Sequence, residues 1–333
     1  MLRLLQSIFG GTAETATGDY SPELIEAAIQ RAIDATDRRL HALSDVRKRL
    51  TPGVVKAVDH VVKLVDSLAA PVAATAENHA RDPRLNVLFA NPERMIEVLA
   101  KDTTVNEARS ELKTDTAFGL LVAHMSRRTV LASDMVDGDI RQDVMQTVVS
   151  FDEHQILEVS ADLEQTRRQL KRRAFDVILR QVLETLEERQ QQQTELKSQH
   201  GLLMRKLGLL QQAGWNFESG DSRPDTVALE KELQHVEDEL LALGDATKTL
   251  PIHAELVQKA LVDAATLLSL DKPTLYLDRR SVERKAGQEG AQAVELQILR
   301  DRKGNERAAL LIQFDPMALP KFDFLQAASK ALA

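Results

Sequence analysis

The chain has 333 residues, enough to bury a substantial core and to form two or three structural units. Its 43 basic and 51 acidic residues leave a formal charge of -8, so the field of the whole molecule opposes nucleic acid and leaves only local patches for polyanions. Cysteine is absent, which excludes disulfides, thiolate metal sites and a cysteine nucleophile, and only 4% of residues are aromatic, as suits Leu-, Ala-, Glu- and Arg-rich helices.

The opening segment, MLRLLQSIFGG, places Leu2, Leu5, Ile8 and Phe9 on one helical side and Arg3, Gln6 and Ser7 on the other. Its apolar run is too short and interrupted for a secretory signal, so it is expected to stay on the protein. Residues 1–20 then read as an amphipathic peptide on a Gly/Thr connector, able to pack on its own domain, dock in a groove or lie on a membrane surface. No run of about eighteen apolar residues follows, so no spanning helix is expected. The placement that results is cytoplasmic, with a peripheral contact at the inner face of a membrane.

Residues 21–128 read as a helical domain of about five helices. Ser21-Pro22-Glu23 starts one that runs toward Leu50, roughly 29 residues, before Thr51-Pro52-Gly53 breaks it. Val54 to Leu68 forms the next. Asp82-Pro83 and Asn91-Pro92 each put a capping side chain before Pro and start shorter helices, and Thr103 to Arg128 reads as another.

At Thr129 the pattern changes. β-Branched residues flank Asp137-Gly138, a dipeptide suited to a type I′ turn, so 129–159 is predicted as a β-hairpin. The competing reading continues Ile140 to Val149 as helix, because the same residues also fit that period.

Residues 160–271 carry the clearest signal. Phe175, Leu179, Val182, Leu186, Leu196, Leu203, Leu207 and Leu210 step by fours and threes, interrupted by Arg189, Gln193 and His200. A returning seam runs Leu229, Leu233, Val236, Leu240, Leu243 and Leu250. Each stripe needs a partner helix and the nearest is the other, so an antiparallel coiled-coil hairpin is predicted, with its tip near 213–224. Ser160 offers the cap of the outgoing helix, whose roughly 52 residues would span about 78 Å. Ser222-Arg223-Pro224-Asp225 opens the return and Pro251 interrupts it. Beyond Pro273, residues 272–333 read as a small β-rich region with strands at Thr274 to Val282, Ala293 to Arg300 and Ala308 to Phe314, the last two joined by Asp301 to Asn305. The predicted fold is thus mainly α with a small antiparallel β part: an N-terminal helical domain, a long coiled-coil hairpin and a small sheet at its base.

Functional candidates are few. Asp139, Asp143 and His154 could serve acid and base chemistry or hold a divalent metal, but their spacing fits no defined site, and acids favour turns for their own reasons. His253-Ala254-Glu255 has the spacing of a deaminase zinc motif without its cysteines. No phosphate-cradling loop, dinucleotide fingerprint, zinc-protease helix or nucleophile elbow occurs, and no cofactor is implied. Arg167, Arg168, Lys171 and Arg172 line one helical side and suit nucleic-acid or anionic-lipid phosphates, although neighbouring acids can neutralise them. Trp215 and Phe217 lie in the polar loop at the coiled-coil tip, where they either anchor a partner or cap the seam.

The leading expectation is a non-enzymatic interaction or scaffold protein that uses the coiled coil or its tip for protein contact. An acidic/His enzyme or metal site and a polyanion-binding helix are the alternatives, and oligomeric state stays open.

Overall fold

The computed structural model describes residues 20–112, 114–136, 139–213, 226–243, 249–288 and 290–320. These fall into two compact units, one drawn from 20–57 and 176–263 and the other from 58–175 and 264–320. The fold is mainly α with a small, largely antiparallel β part.

In the first unit, helix α1 (Pro22–Ala35) starts as its sequence requires. The Ser21 hydroxyl accepts from the Leu24 N–H, and Pro22 occupies the first turn, where its missing donor costs nothing. Ala28, Ile29, Ala32 and Ile33 form its buried side. The expected continuation to Leu50 does not occur. Thr36 turns its hydroxyl back onto the Ala32 carbonyl, and Asp37 accepts from Arg39 N–H to open a short 3₁₀ turn, Arg38–Ala42. Asp37 is also 2.8 Å from His253 Nδ1 on a later helix, and the hydrogen bonds from Arg39, chiefly, and His253 hold its carboxyl well below the ordinary range.

Helix α2 (Val46–Asp66) contributes to both units and contains Pro52, where the sequence suggests a break. The apolar side of this helix continues through the proline with Leu50, Val54 and Ala57 fully buried, which outweighs the lost ladder bond. Gly53 is required there for space: a Cβ would lie 2.8 Å from the Gln258 carbonyl oxygen and 3.1 Å from Leu261 Cβ. Burial and close approach therefore override the Pro-Gly breaker signal.

The second unit is an α-plus-β assembly. Strand β1 (Val72–Ala73) precedes four short helices, α3 (Ala76–Arg81), α4 (Pro83–Leu88), α5 (Pro92–Lys101) and α6 (Thr103–Glu111), capped in turn by Thr75, Asp82, Asn91 and Asp102. The helix expected over Thr103 to Arg128 stops at Glu111. Strand β2 (Ala117–Val136) follows and pairs antiparallel with β3 (Asp139–Ser160), from Phe118↔Ser160 to Val136↔Asp139. The helical alternative for Ile140 to Val149 is thereby overturned, and the Asp137-Gly138 turn lies outside the described residues. Leu120 to Ala123 are buried on successive positions, as in a strand covered on both faces, and this run without alternation is what imitates a helix in the sequence.

Register along the hairpin shifts three times, between Phe118 and Leu120, Val122 and His124, and Ala132 and Asp134. Opposite these shifts, β3 carries Glu158, Glu153 and Asp143, each with positive φ. Each is the extra residue of a bulge, which bends the strand and increases its twist. Gly119 sits at the first shift because a Cβ would lie 2.8 Å from Ile156 Cγ2.

The sheet is completed by β4 (Leu268–Asp271), β7 (Gln297–Asp301) and β8 (Glu306–Phe314) in the order β3-β2-β8-β7-β4, with β1 parallel to β8. A separate pair, β5 (Thr274–Leu277) and β6 (Gln292–Glu295), lies between β4 and β7 in the chain. The β7–β8 turn is closed by Asp301, whose Oδ1 accepts from Lys303 and Asn305 N–H. Leu85, Leu88, Phe89, Met95 and Leu99 from the short helices join Leu121, Ile156, Leu310 and Ile312 from the sheet in one core.

The remaining helices are α7 (Leu163–Ala213), α8 (Thr226–Leu243), α9 (Thr249–Val262) and the single turn α10 (Ala264–Leu267). Ser160 is not the cap of α7. It ends β3, and its hydroxyl donates to the Asp162 carbonyl while the Asp162 side chain accepts from Gln165 N–H. Pro251 falls in the first turn of α9, a position that needs no donor.

Candidate functional site on the coiled coil

Helix α7 runs 51 residues, about 77 Å, without a proline. Its two glycines, Gly201 and Gly208, face open space and meet nothing within 4 Å, so neither marks a packing constraint. Within the first unit α7 pairs antiparallel with α8. Leu196 and Leu203 are buried with Val236, and Leu229, Leu233, Leu240 and Leu243 pack against them. These are the central positions of the predicted seam.

Two polar interruptions of that seam are satisfied across the pair. Arg189 Nη2 donates to the Leu243 carbonyl at 2.9 Å, supplying both a donor and a positive charge at the C-terminal end of α8. His200 Nε2 lies 3.0 Å from Glu237 Oε1. These contacts hold the two helices in one register, which is the ordinary use of polar residues in a coiled-coil seam.

The outward faces carry a second apolar pattern. Leu202 and Leu209, one heptad apart on α7, are 55% and 66% exposed. Val227 and Leu241, two heptads apart on α8, are 56% and 84% exposed. Single exposed apolar residues are unremarkable on any surface, but the seven-residue spacing of Leu202 and Leu209 puts both on one side of α7, whereas on α8 Gln234 stands between Val227 and Leu241. The seam between the helices is already filled by other residues, so the α7 row is additional to it.

The structure separates the acidic and histidine candidates. Asp143 is an exposed bulge residue, Asp139 pairs through its backbone with Val136, and His154 lies eleven residues beyond Asp143 on the same strand, roughly 30 Å or more of extended chain. His154 stacks on Phe89 with ring centroids 4.7 Å apart and donates from Nε2 to the Leu88 carbonyl at 2.8 Å. Burial lowers its pKa from the ordinary value, which fits a neutral packing residue. Among the described residues no group of three or more His, Asp or Glu side chains is placed to hold a metal.

The basic side of α7 is largely occupied within the second unit. Arg167 donates to the Val65 and Leu68 carbonyls at the end of α2, and Lys171 pairs with Asp66 at 2.8 Å. Arg173 pairs with Glu158, Arg172 is half-buried, and Arg168 is exposed. Trp215 and Phe217 at the tip, and Leu2, Leu5, Ile8 and Phe9 in the N-terminal peptide, lie outside the described residues. Sequence reasoning missed the outer row because it followed the dominant seam. Its signal was present as leucines at 202 and 209, each one position before a seam leucine.

No protein-family model matches this chain, and no curated protein or solved structure matches it. Among the described residues no helix is long and apolar enough to cross a membrane.

Proposed function

We propose that this chain is a non-enzymatic interaction or scaffold protein whose α7–α8 hairpin makes protein–protein contact. The observation that supports this reading is the exposed Leu202–Leu209 row on a helix whose own seam is already closed by Leu196, Leu203 and Val236. A partner presenting an amphipathic helix would bury this row as a third strand beside the pair. Trp215 and Phe217 belong to the same proposal as anchors at the tip. The chain acts in the cytoplasm, with Leu2, Leu5, Ile8 and Phe9 as a loose contact to the inner face of a membrane.

A photo-crosslinking residue placed at Leu202 or Leu209 should capture a protein partner in cells, and one at Lys197 should not, because five residues turn the helix by about 140° to a different side. With that partner purified, Leu202→Glu/Leu209→Glu should weaken binding by about tenfold or more while helicity is kept. Equal capture from all three positions, or unchanged affinity of the double variant, would sink the proposal.

A further inference from the structure

The second unit contains a cleft of ≈ 550 Å³ that none of the interactions above uses. Leu88, Val149, Leu277 and Val294 form its apolar floor, all of them buried. Arg279, Arg280 and Asn86 stand exposed at its rim. A volume in this range is that of a small-molecule site, and its lining is mixed, with Ser150, Asp278, Ser281 and Gln292 beside the apolar residues.

The turn that presents the two arginines is held from several directions. Asp278 Oδ1 accepts from the N–H of Arg280 at 2.8 Å and of Val282 at 3.0 Å. Its other oxygen takes Arg284 Nε and Nη2 at 3.0 and 2.9 Å. Val149 N–H donates to the Ser281 carbonyl, and Glu283 N–H to the Thr147 carbonyl, tying the turn to β3. Ser281 has φ 59°, a sparsely populated conformation that these bonds maintain. The Asp278 charge is thus committed to Arg284, and Glu283 faces Arg127 at 3.7 Å. The guanidinium groups of Arg279 and Arg280 have no hydrogen bond or ion pair among the described residues. Two guanidinium groups without a partner among the described residues, on a rigid turn beside a cavity with both apolar and polar lining, match a ligand with an anionic head and an apolar body.

We propose that this cleft binds a small organic anion, with its apolar body on the floor between Leu88 and Val294 and its carboxylate or phosphate head on Arg279 and Arg280. The proposal is independent of the coiled-coil interaction, because it rests on the second unit alone.

The test uses the full chain and the fluorescent probe 8-anilinonaphthalene-1-sulfonate, an apolar ring system with one anionic group. The probe should bind the wild type, and Arg279→Glu/Arg280→Glu should weaken it by about tenfold or more, the loss expected for charge-assisted contacts. Ala90→Trp, at an exposed lining position, should block the cleft and weaken the probe without changing the melting temperature. Octanoate and octyl phosphate should displace the probe, their relative strength showing which head is preferred, and octanol should not. Should the charge reversal lower the melting temperature, Arg279→Gln/Arg280→Gln carries the same expectation. Absence of probe binding, binding by the arginine and Ala90 variants as tight as by the wild type, or displacement by octanol as strong as by octanoate would each overturn the proposal.

Discussion

His154 is packed face to face with Phe89 and donates to a carbonyl from a largely buried ring, so its surroundings favour the neutral imidazole. Burial is the largest cause of its lowered pKa; the Leu88 hydrogen bond acts in the opposite direction and is outweighed. The unfolded chain, with an ordinary histidine value near 6.5, therefore binds a proton that the folded chain refuses. The associated stability is fully present above that value and is lost as the pH falls through it toward the lower folded value. Thermal melting between about pH 7 and pH 5 should show a falling midpoint, and His154→Gln should flatten that part of the profile. A slope unchanged in the variant would assign the effect to another group. Asp143, which composition and position make a candidate for chemistry, has a different explanation: with Glu153 and Glu158 it is one of three acidic residues that accept positive φ at a bulge.

The α7–α8 pairing stands or falls on a small number of buried positions, since Leu196, Leu203 and Val236 are the buried side chains of the cluster the two helices share. Val236→Asp would place a carboxylate without a partner in that seam, at a cost of about 2–4 kcal/mol. Amide hydrogen exchange over 226–243 should accelerate in this variant, and the thermal midpoint should fall. Leu241→Asp, made on the exposed side of the same helix, should leave both nearly unchanged because a charge there remains in water. Similar protection in the two variants would remove the antiparallel pairing. The β2–β3 hairpin is governed differently. Its strands are long, 20 and 22 residues, and its register is interrupted by bulges rather than set by strict alternation.

At the scale of the whole molecule, the chain enters each of its two units twice, and α2 and α7 contribute residues to both. Sequence-local segments such as 21–128 are consequently not the units in which burial is shared. The N-terminal peptide gives a test at this scale. Deletion of residues 1–19 should leave the melting temperature unchanged and reduce flotation with anionic liposomes, because its apolar side is the proposed membrane contact. Equal flotation of both proteins, or flotation of neither, would eliminate that contact.

The helix starts at Ser21, Asp82 and Asn91, the coiled-coil seam and the Asp301 turn were legible because each depends on neighbours within a few residues or on a simple period. The outer Leu202–Leu209 row was present in the same residues but is informative only once the inner seam is seen to be closed. Where the chain departed from its local signals, a long-range contact decided the matter. Thr103 to Arg128 splits into helix and strand because β2 gains pairing partners in both β3 and β8, and α2 continues through Pro52 because its apolar side is buried. The cleft beside Arg279 brings together residues from 86–90, 148–151 and 277–294, which no periodicity connects. Sequence alone determined the elements whose stability is local or periodic, and tertiary structure decided those whose hydrogen bonds and buried area come from distant parts of the chain.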